Sequence, residues 1–341
     1  MKYYFDWKNE AKDDEMEIVI NDLKNDGLIL LPTETVYGIA GNAYSDVACK
    51  KIFRAKGRPQ DNPLIVHISD LEMLEKVAEK PNEVEEKLIK AFMPGPFTII
   101  LNKKNVICDT VSAGMSTIGV RMPNNRIIHT IIKKSQIPIA APSANLSGKP
   151  SGTSLDDIID ELKDEVDVII DGGECNIGIE STVVKVTNGV PIILRPGFIT
   201  EEDIKKVVGK VKLDDNIFKT VSYGEQVESP GMKYRHYAPK TKCVLVEWGK
   251  QQINKVNELL KKNPNACVLG FEEDREYIEV DSRKFILLGS KNNLEQISKK
   301  LFTSLRKIDK YDNCNLAIIE GLPKQGLGLS IMSRLSRACE N

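Results

Sequence analysis

The sequence predicts an α/β protein with two domains: a larger N-terminal one built on a twisted, mixed sheet and a smaller C-terminal one built on a parallel sheet. Short apolar runs of strand length alternate with amphipathic stretches of helix length along most of the 341 residues. That length suits two domains. Periodicity is low between residues 212 and 239. We therefore assign residues 1–211 to the first domain, 212–240 to a linker and 241–341 to the second domain.

The N-terminal domain is expected to mix strand-turn-strand with strand-helix-strand connections, which favours a mixed sheet. Its first helix runs from Glu15 to Lys24 and ends before Gly27. A buried strand follows at residues 28–31 and is stopped by Pro32. Further strands are predicted at residues 64–68, 97–101, 118–120, 137–140, 166–170, 182–186 and 192–194, and helices at 47–55, 84–92 and 155–162.

A helix with capping-box spacing, Thr200-Glu201-Glu202-Asp203, closes the first domain. Beyond Thr241 strands and helices alternate cleanly, as expected for a parallel sheet. The strands are predicted at residues 244–247, 267–271, 285–288 and 317–320, one helix ends near Lys261, and another spans 293–308.

The composition argues against several classes of protein. The net charge of −1 does not suit a protein that binds nucleic acid or an anionic membrane through bulk attraction. The seven cysteines are scattered without a Cys-x-x-Cys pair, which fits reduced thiols and gives no zinc site. No apolar stretch reaches the roughly 18 residues of a membrane span, and no apolar signal segment opens the chain. We expect a soluble, cytoplasmic protein without membrane contact.

The most cationic loop of the first domain begins at Arg54. Lys56 and Arg58 follow at alternating positions among small residues, and clustered guanidinium and ammonium groups match phosphate oxygens. A solvated cationic face would show the same charges. The turn at Asn62 and the histidine on the next strand, His67, favour a binding site in this polar loop.

Two other features are open to more than one interpretation. The turn after the first buried strand contains Thr33 and Thr35, which suits a small polar ligand, although plain capping gives the same pattern. Arg121 lies inside an apolar strand, where an arginine needs a partner. A substrate carboxylate would serve, and so would a structural Asp, which is the commoner partner.

Small residues fill the loop after the predicted strand at 137–140. They let a ligand approach the backbone closely, with Ser143 and Ser151 as donors. Gly178 completes the glycine spacing of a Walker loop, but Ile-Glu follows it instead of Gly-Lys, so the loop is not a P-loop. A serine hydrolase has little support, because the sequence contains no Gly-x-Ser-x-Gly elbow.

Residues 229–239 read Ser-Pro-Gly-Met-Lys-Tyr-Arg-His-Tyr-Ala-Pro. This stretch has neither helical nor strand periodicity, and it concentrates cations and aromatic rings between two prolines. A Pro-rich interdomain linker is one interpretation. The other is a segment laid over an anionic, flat ligand such as a nucleotide.

Together these loops resemble the YrdC/Sua5 family. The matching motifs span about residues 31–197, and residues 229–239 and 326–335 are similar to the two-domain Sua5 branch. Ile39-Ala40 stand where Leu-Gly is usual and Met93 where a Trp is common, and both exchanges leave the chemistry undisturbed. The resemblance implies a YrdC-like N-terminal domain and a Rossmann-like C-terminal domain.

Sua5-like proteins are L-threonylcarbamoyladenylate synthases. The resemblance therefore implies a nucleotidyltransferase that condenses L-threonine, bicarbonate and ATP to threonylcarbamoyl-AMP and pyrophosphate, for modification of adenosine 37 in certain tRNAs. It also implies a downstream tRNA-modifying complex, and Mg²⁺ carried by the triphosphate. The threonine carbamate is itself the nucleophile, so the enzyme must supply positioning and charge stabilisation.

The resemblance also implies the site residues. Lys56 and Arg58 are expected to be catalytic through phosphate contacts, Arg121 to bind the threonine carboxylate, and Tyr237 to belong to a lid. The expected threonine contacts are Thr33, Thr35, His67, Arg121, Ala141 and Ser181, and the expected ATP contacts are Lys56, Arg58, Asn62, Thr117, Ser143, Ser151, Arg195 and Tyr237.

Two alternatives belong to other classes. An RNA-binding module would hold tRNA or double-stranded RNA on a basic concave face without nucleotidyl transfer. The net charge and the lack of interleaved stacking aromatics make RNA contact secondary. The related carbamoyltransferase of hydrogenase maturation carries Cys-rich zinc-finger segments, which this sequence lacks.

Overall fold

The chain folds around two separate sheets in a computed structural model that describes residues 1–219, 227–230, 234, 236–311 and 313–340. The first sheet has eleven strands and the second has four, which confirms the predicted fold class. The strands of the first sheet are β1 (Tyr3–Asp6), β2 (Ile29–Leu31), β3 (Gly38–Asn42), β4 (Ile65–His67), β5 (Phe97–Asn102), β6 (Thr117–Arg121), β7 (Ile139–Ala140), β8 (Val168–Asp171), β9 (Thr182–Thr187), β10 (Val190–Arg195) and β11 (Lys212–Leu213).

The first sheet is mixed, with the order β1-β8-β2-β3-β7-β4-β6-β5-β9-β10-β11. β4 and β6 are parallel, and their last residues, His67 and Arg121, lie opposite each other. β5 runs antiparallel to β6 and parallel to β9, so Phe97 at its start pairs with Thr182. The ends of β4 and β6 and the starts of β5 and β9 therefore meet at one edge of the sheet. That edge brings His67 and Arg121 close to the loop that precedes β9.

Helices pack against this sheet and several begin with side-chain caps. Ser45 accepts from Ala48 N at the start of the second helix, which ends at Gly57 in the left-handed region (φ 58°). Thr200 and Asp203 form the predicted capping box. The helices are α1 (Asp13–Lys24), α2 (Asp46–Lys56), α3 (Leu71–Val77), α4 (Glu83–Phe92), α5 (Asp109–Ser112), α6 (Arg126–Ser135), α7 (Ile159–Leu162) and α8 (Glu201–Val208).

The second sheet is parallel and has helices on both faces, as in a Rossmann-like domain. Its order is β12-β15-β13-β14. One core cluster joins the helix that follows the first strand to one face, and a second joins the two later helices to the other. The elements are β12 (Lys242–Val246), α9 (Gln252–Lys262), β13 (Ala266–Phe271), β14 (Phe285–Gly289), α10 (Leu294–Ile308), β15 (Leu316–Glu320) and α11 (Leu327–Ala338).

Most predicted elements are present to within a few residues, and some corrections follow. The predicted helix at 155–162 is wrong as a continuous helix, because a 3₁₀ turn at Leu155–Asp157 precedes the short α7. The predicted linker contains β11 at its start. Local sequence did not predict β1, β3, α3, α6 or α11. Glycines in β3 and at the start of α11 weaken the local signal, and tertiary burial stabilises both elements.

Helices and loops that flank the first sheet pack against α10, which flanks the second sheet. Arg306 in α10 forms an ion pair with Glu161 in α7 at 2.8 Å. Gly178 (φ 83°) lies so close to α10 that a Cβ on this glycine would be 2.3 Å from Lys299 Cα. No side chain fits at that contact. Within the described ranges, no helix is long and apolar enough to cross a membrane.

Candidate active site

The candidate site is a narrow cleft at the sheet edge where β4 and β6 end. Its volume is about 60 Å³. Most of the predicted contact residues line it, namely Thr35, Arg58, His67, Arg121, Ala141, Ser143, Ser181, Arg195 and Tyr237. Five others do not line it, namely Thr33, Lys56, Asn62, Thr117 and Ser151.

The Thr-rich turn after β2 is held together by its own hydroxyls. Thr33 Oγ1 donates to Val36 O at 2.7 Å, and it accepts from Thr35 N at 3.1 Å. Thr33 is therefore a capping group, which is the alternative that the sequence left open. Thr35 faces the cleft, where its hydroxyl accepts from Arg121 Nη1 at 3.0 Å.

Arg121 is 4% exposed and has an internal partner that the sequence did not predict. Its Nε donates to Gly95 O at 3.3 Å, and its Nη2 lies 2.6 Å from Glu34 Oε1. Glu34 comes from the Thr-rich turn and is also buried. The structural partner is thus a Glu rather than an Asp, and it lies beside the cleft.

His67 presents a neutral imidazole to the cleft. Burial, and the nearby Arg121 guanidinium, lower the pKa of His67 to about 3. Its Nδ1 lies 3.2 Å from Ile65 O, so this nitrogen carries the proton. At neutral pH the ring acts as a polar, uncharged wall.

Lys56 and Arg58 are both buried, and the predicted placement in a polar loop is wrong for Lys56, which ends α2, whereas Arg58 does lie in the segment after the helix. Lys56 is the last residue of α2, and its ammonium donates to Asn145 O at 2.6 Å and to Ser143 O. Burial, then Arg58, lowers the pKa of Lys56. Lys56 therefore fixes the small-residue loop instead of facing the cleft.

Arg58 does line the cleft. Its Nη2 donates to Pro63 O at 2.9 Å and its Nε to Asn62 O at 3.2 Å, which holds the turn before β4. Burial, then the Arg195 guanidinium, lowers the pKa of Arg58 to about 10. The side chain stays charged at neutral pH.

Ser181 and Arg195 are bound to each other across the hairpin of β9 and β10. Arg195 Nε donates to Ser181 O and its Nη2 to Ser181 Oγ, both at 3.1 Å. Ser181 Oγ also lies 2.7 Å from Thr98 Oγ1. This network sets the direction of the serine hydroxyl at the start of β9.

The described part of residues 227–239 covers the cleft. Tyr237 adopts φ 61°, which is uncommon for a residue other than glycine, and its ring stacks on Phe302 of α10 at 5.1 Å. Pro230 and His236 also line the cleft. Burial, then Arg58, lowers the pKa of His236 to about 3. The sequence placed this segment near the site, and its Lys233 and Arg235 lie outside the described residues.

A carboxylate of the same segment occupies a predicted ATP contact. Glu228 accepts from Thr117 Oγ1 at 2.8 Å and from Lys185 Nζ at 2.5 Å. The Thr117 hydroxyl is therefore committed to the segment in this conformation.

A larger groove of about 1050 Å³ lies between α3 and α4. Apolar side chains such as Leu74, Ile89 and Met93 form much of its wall, and none of the predicted contact residues lines it. The smaller cleft is the better candidate, because convergent buried polar groups and a histidine with a strongly lowered pKa line it. In the described part of the chain, no group of three His, Cys, Asp or Glu side chains is placed to hold a metal ion.

Sequence reasoning assigned no role to several residues at the site. Glu34 and Glu180 belong to the Thr-rich turn and to the loop before β9, and both are buried. His236 and Pro230 lie in the 229–239 segment. All four residues lie in motifs that the sequence already marked, and this was the available signal. Their contacts with Arg121 or with the cleft form only when the chain folds.

The chain is similar to known proteins over nearly its whole length. A family described as "Telomere recombination", Sua5/YciO/YrdC, matches residues 21–197, and the "Threonylcarbamoyl-AMP synthase, C-terminal domain" family matches residues 199–339. Threonylcarbamoyl-AMP synthase of Pyrococcus abyssi is 40% identical over 334 residues, which cover 95% of this chain and 94% of the relative. The Bacillus subtilis protein of the same name is 39% identical over 318 residues, covering 93% and 90%.

A solved structure agrees with the sequence relatives. The crystal structure of P. abyssi Sua5 complexed with L-threonine has a TM-score of 0.91 and 38% identity, covering 98% of this chain and 97% of that one. As the motifs predicted, the chain belongs to the Sua5/YciO/YrdC family, in the branch that carries the threonylcarbamoyl-AMP synthase C-terminal domain.

Proposed function

We propose that the chain is an L-threonylcarbamoyladenylate synthase, which condenses L-threonine, bicarbonate and ATP to threonylcarbamoyl-AMP and pyrophosphate for tRNA modification. One observation carries the proposal: the guanidinium groups of Arg58, Arg121 and Arg195 line a single cleft. Three buried cations in one cleft are suited to anionic ligands, and an amino-acid carboxylate and a triphosphate supply such charges.

The threonine half is proposed around Arg121. The substrate carboxylate would take the place of Glu34 at the guanidinium, and the hydroxyl of Thr35 lies within bonding distance of the same group. His67, Ala141 and Ser181 line the cleft close to this point. Thr33 acts indirectly, because its hydroxyl holds the turn.

The ATP half is proposed around Arg58 and Arg195. Ser143 lines the same part of the cleft, and Tyr237 closes it. Lys56 would support phosphate binding by holding the Ser143 and Asn145 carbonyls. The remaining proposed contacts, which do not line the cleft in this conformation, are Asn62, Thr117 and Ser151.

The reaction needs no nucleophile from the protein. Bicarbonate and the threonine amine give a carbamate with loss of water. A carbamate oxygen then bonds to the α-phosphorus as the bond to the pyrophosphate oxygen breaks. The hydroxyls of Ser143 and Ser181 are bonded to Asn145 and Thr98, which suits binding roles. The buried guanidiniums would stabilise charge on the phosphate oxygens.

Mg²⁺ is proposed to arrive with the triphosphate and to neutralise its oxygens. The described side chains fit this arrangement, because Glu180, an acidic side chain at the cleft, is already paired with Arg334. The proposed setting is the cytoplasm, where the scattered cysteines would stay reduced. The proposed recipient of the product is a downstream tRNA-modifying complex.

Pyrophosphate release tests the proposal. Purified protein with ATP and Mg²⁺ should release pyrophosphate only when both L-threonine and bicarbonate are present. Release that is independent of threonine would contradict the proposal. RNA affinity with a steep salt dependence and no ATP turnover would instead favour an RNA-binding module.

A further inference from the structure

Glu180 lies at the cleft but belongs to neither proposed half of the site. Its side chain is buried, and its Oε1 accepts from Ser151 Oγ at 2.8 Å. One hydroxyl does not compensate a buried carboxylate, so a cation must lie close to it.

That cation comes from the last helix of the chain. Arg334 in α11 is 1% exposed, and its Nε lies 3.2 Å from Glu180 Oε2. Its Nη1 donates to Ser330 O at 3.1 Å and to Pro196 O. Ser330 Oγ donates to Gly197 O at 2.7 Å. One turn of α11 therefore holds both ends of the β9–β10 hairpin.

The two ends that α11 holds carry ligand-facing side chains. Ser181 follows Glu180, and Arg195 precedes Pro196. Arg195 also donates twice to Ser181, so the two side chains depend on the same spacing between the hairpin ends. A change at Arg334 is thus transmitted to both.

We propose that Arg334 is a positioning residue of the transfer reaction, through which the C-terminal domain fixes the geometry of the cleft. The inference rests on the proposed function. Arg334 neutralises Glu180 and sets the distance between Ser181 and Arg195. A misplacement of about 1 Å at such groups lowers a rate roughly 100-fold.

Steady-state kinetics of pyrophosphate release test this role. We expect Arg334→Gln to lower kcat about 10- to 100-fold and to raise KM for threonine several-fold. A loss of folded protein alone lowers the rate and leaves KM unchanged, so the change in KM identifies positioning. Arg334→Lys keeps the charge without the planar fork, and its KM should lie between those of Arg334→Gln and the wild type.

Glu161→Gln is the matched control. Glu161 is a partly buried carboxylate paired with Arg306 across the same interface, but it does not line the cleft. Its variant should keep the wild-type KM. If Arg334→Gln does not fold, the double variant Glu180→Gln/Arg334→Met, which removes both buried charges, takes its place under the same KM criterion.

The outcomes separate the two proposals. Wild-type turnover together with an unchanged KM in the Arg334 variant would overturn the positioning role alone. Equal changes in the Arg334 and Glu161 variants would also overturn it. A wild type that shows no threonine-dependent release would reject the proposed function and this inference with it.

Discussion

Arg121 Nη2 lies 2.6 Å from Glu34 Oε1, and both side chains are almost fully buried. The two atoms are close without being aligned as a hydrogen bond, and the second Glu34 oxygen also has no bonding partner. A buried ion pair with incomplete hydrogen bonding adds little net stability. A threonine carboxylate that forms aligned bonds to Arg121 would therefore displace Glu34 readily.

Arg121→Ala should weaken threonine binding by about 2–5 kcal/mol, because a buried ligand charge loses its partner. ATP affinity should remain nearly unchanged, since Arg58 and Arg195 stay in place. Calorimetric titration with each ligand separately measures both effects. Equal losses for the two ligands would contradict the assignment.

Glu34→Gln changes the other member of the Arg121–Glu34 pair and should have the opposite effect on threonine binding. It removes the charge that competes with the substrate carboxylate, so threonine should bind more tightly than to the wild type. The ligand-free protein should be less stable, because Arg121 is left buried without a counter-charge. Weaker threonine binding in this variant would argue against competition.

Arg58→Ala should lower pyrophosphate release by more than its loss of stability accounts for, because Arg58 lines the cleft as well as holding the Asn62 and Pro63 carbonyls. Lys56→Ala should lower release and stability together, since the Lys56 ammonium holds two buried carbonyls. Turnover and thermal unfolding of the two variants distinguish these roles. Lys50→Ala is the control, because Lys50 is exposed on α2, the helix that ends at Lys56, where it forms an ion pair with Asp46. If Arg58→Ala keeps wild-type turnover, the role of Arg58 is structural and not in the reaction.

Local sequence predicted the part of the site that depends on loop composition. Thr35 and Ser143 stand in motifs whose residue types suggest a polar ligand and Arg58 in one that suggests phosphate, and all three line the cleft. The contacts of Lys56 and Glu34 were not predictable, because they join segments far apart in the chain. The contact of Arg334 could not be predicted from local sequence either, because its partner Glu180 lies in the other domain. Pairing between domains leaves no periodic or compositional signal.

The stability of the protein should fall as the pH drops below about 6.5. The pKa of His67 is about 3 in the folded chain, whereas an unfolded histidine titrates near 6.5. Between these values the unfolded chain binds a proton that the folded chain does not, so stability rises with pH there. The contribution should reach roughly 2–3 kcal/mol between pH 6.5 and 4.5.

Urea unfolding at pH 7 and 4.5 checks this effect. His67→Gln should lose less free energy of unfolding than the wild type over that interval. His129→Gln is the control, because His129 is only partly buried. An identical pH dependence in the wild type and His67→Gln would contradict the prediction. His236 contributes in the same direction, and its substitution should reduce the loss further.

Glu228→Ala should lower KM for ATP several-fold. Glu228 accepts from the Thr117 hydroxyl and from Lys185, so a nucleotide that contacts Thr117 must displace it. Kinetics with varied ATP at saturating threonine give the result. Glu83→Ala, which removes an exposed ion pair with Lys87, should leave KM unchanged. An unchanged KM in Glu228→Ala would show that ATP and this carboxylate do not compete.

Residues 229–239 should act as a lid whose movement depends on nucleotide. Pro230, His236 and Tyr237 line the cleft together with Arg58 and Arg195, the proposed ATP contacts, so the segment must move for a nucleotide to enter. It must then close again, because the acyl-phosphate anhydride product is labile in water. Stacking of Tyr237 on Phe302 gives the closed position an anchor on the second domain.

Limited proteolysis and truncation test the lid. Cleavage near Lys233-Tyr234-Arg235 should slow when ATP and threonine are added together, because closure over the ligands withdraws the backbone from the protease. Truncation at about residue 210 should leave a folded first domain with much reduced turnover, since it removes the lid and Arg334 alike. Phe302→Ala keeps the chain intact and removes only the stacking contact, so its cleavage should be faster with ligands than that of the wild type. Unchanged cleavage together with full activity of the truncated domain would make the segment a plain linker.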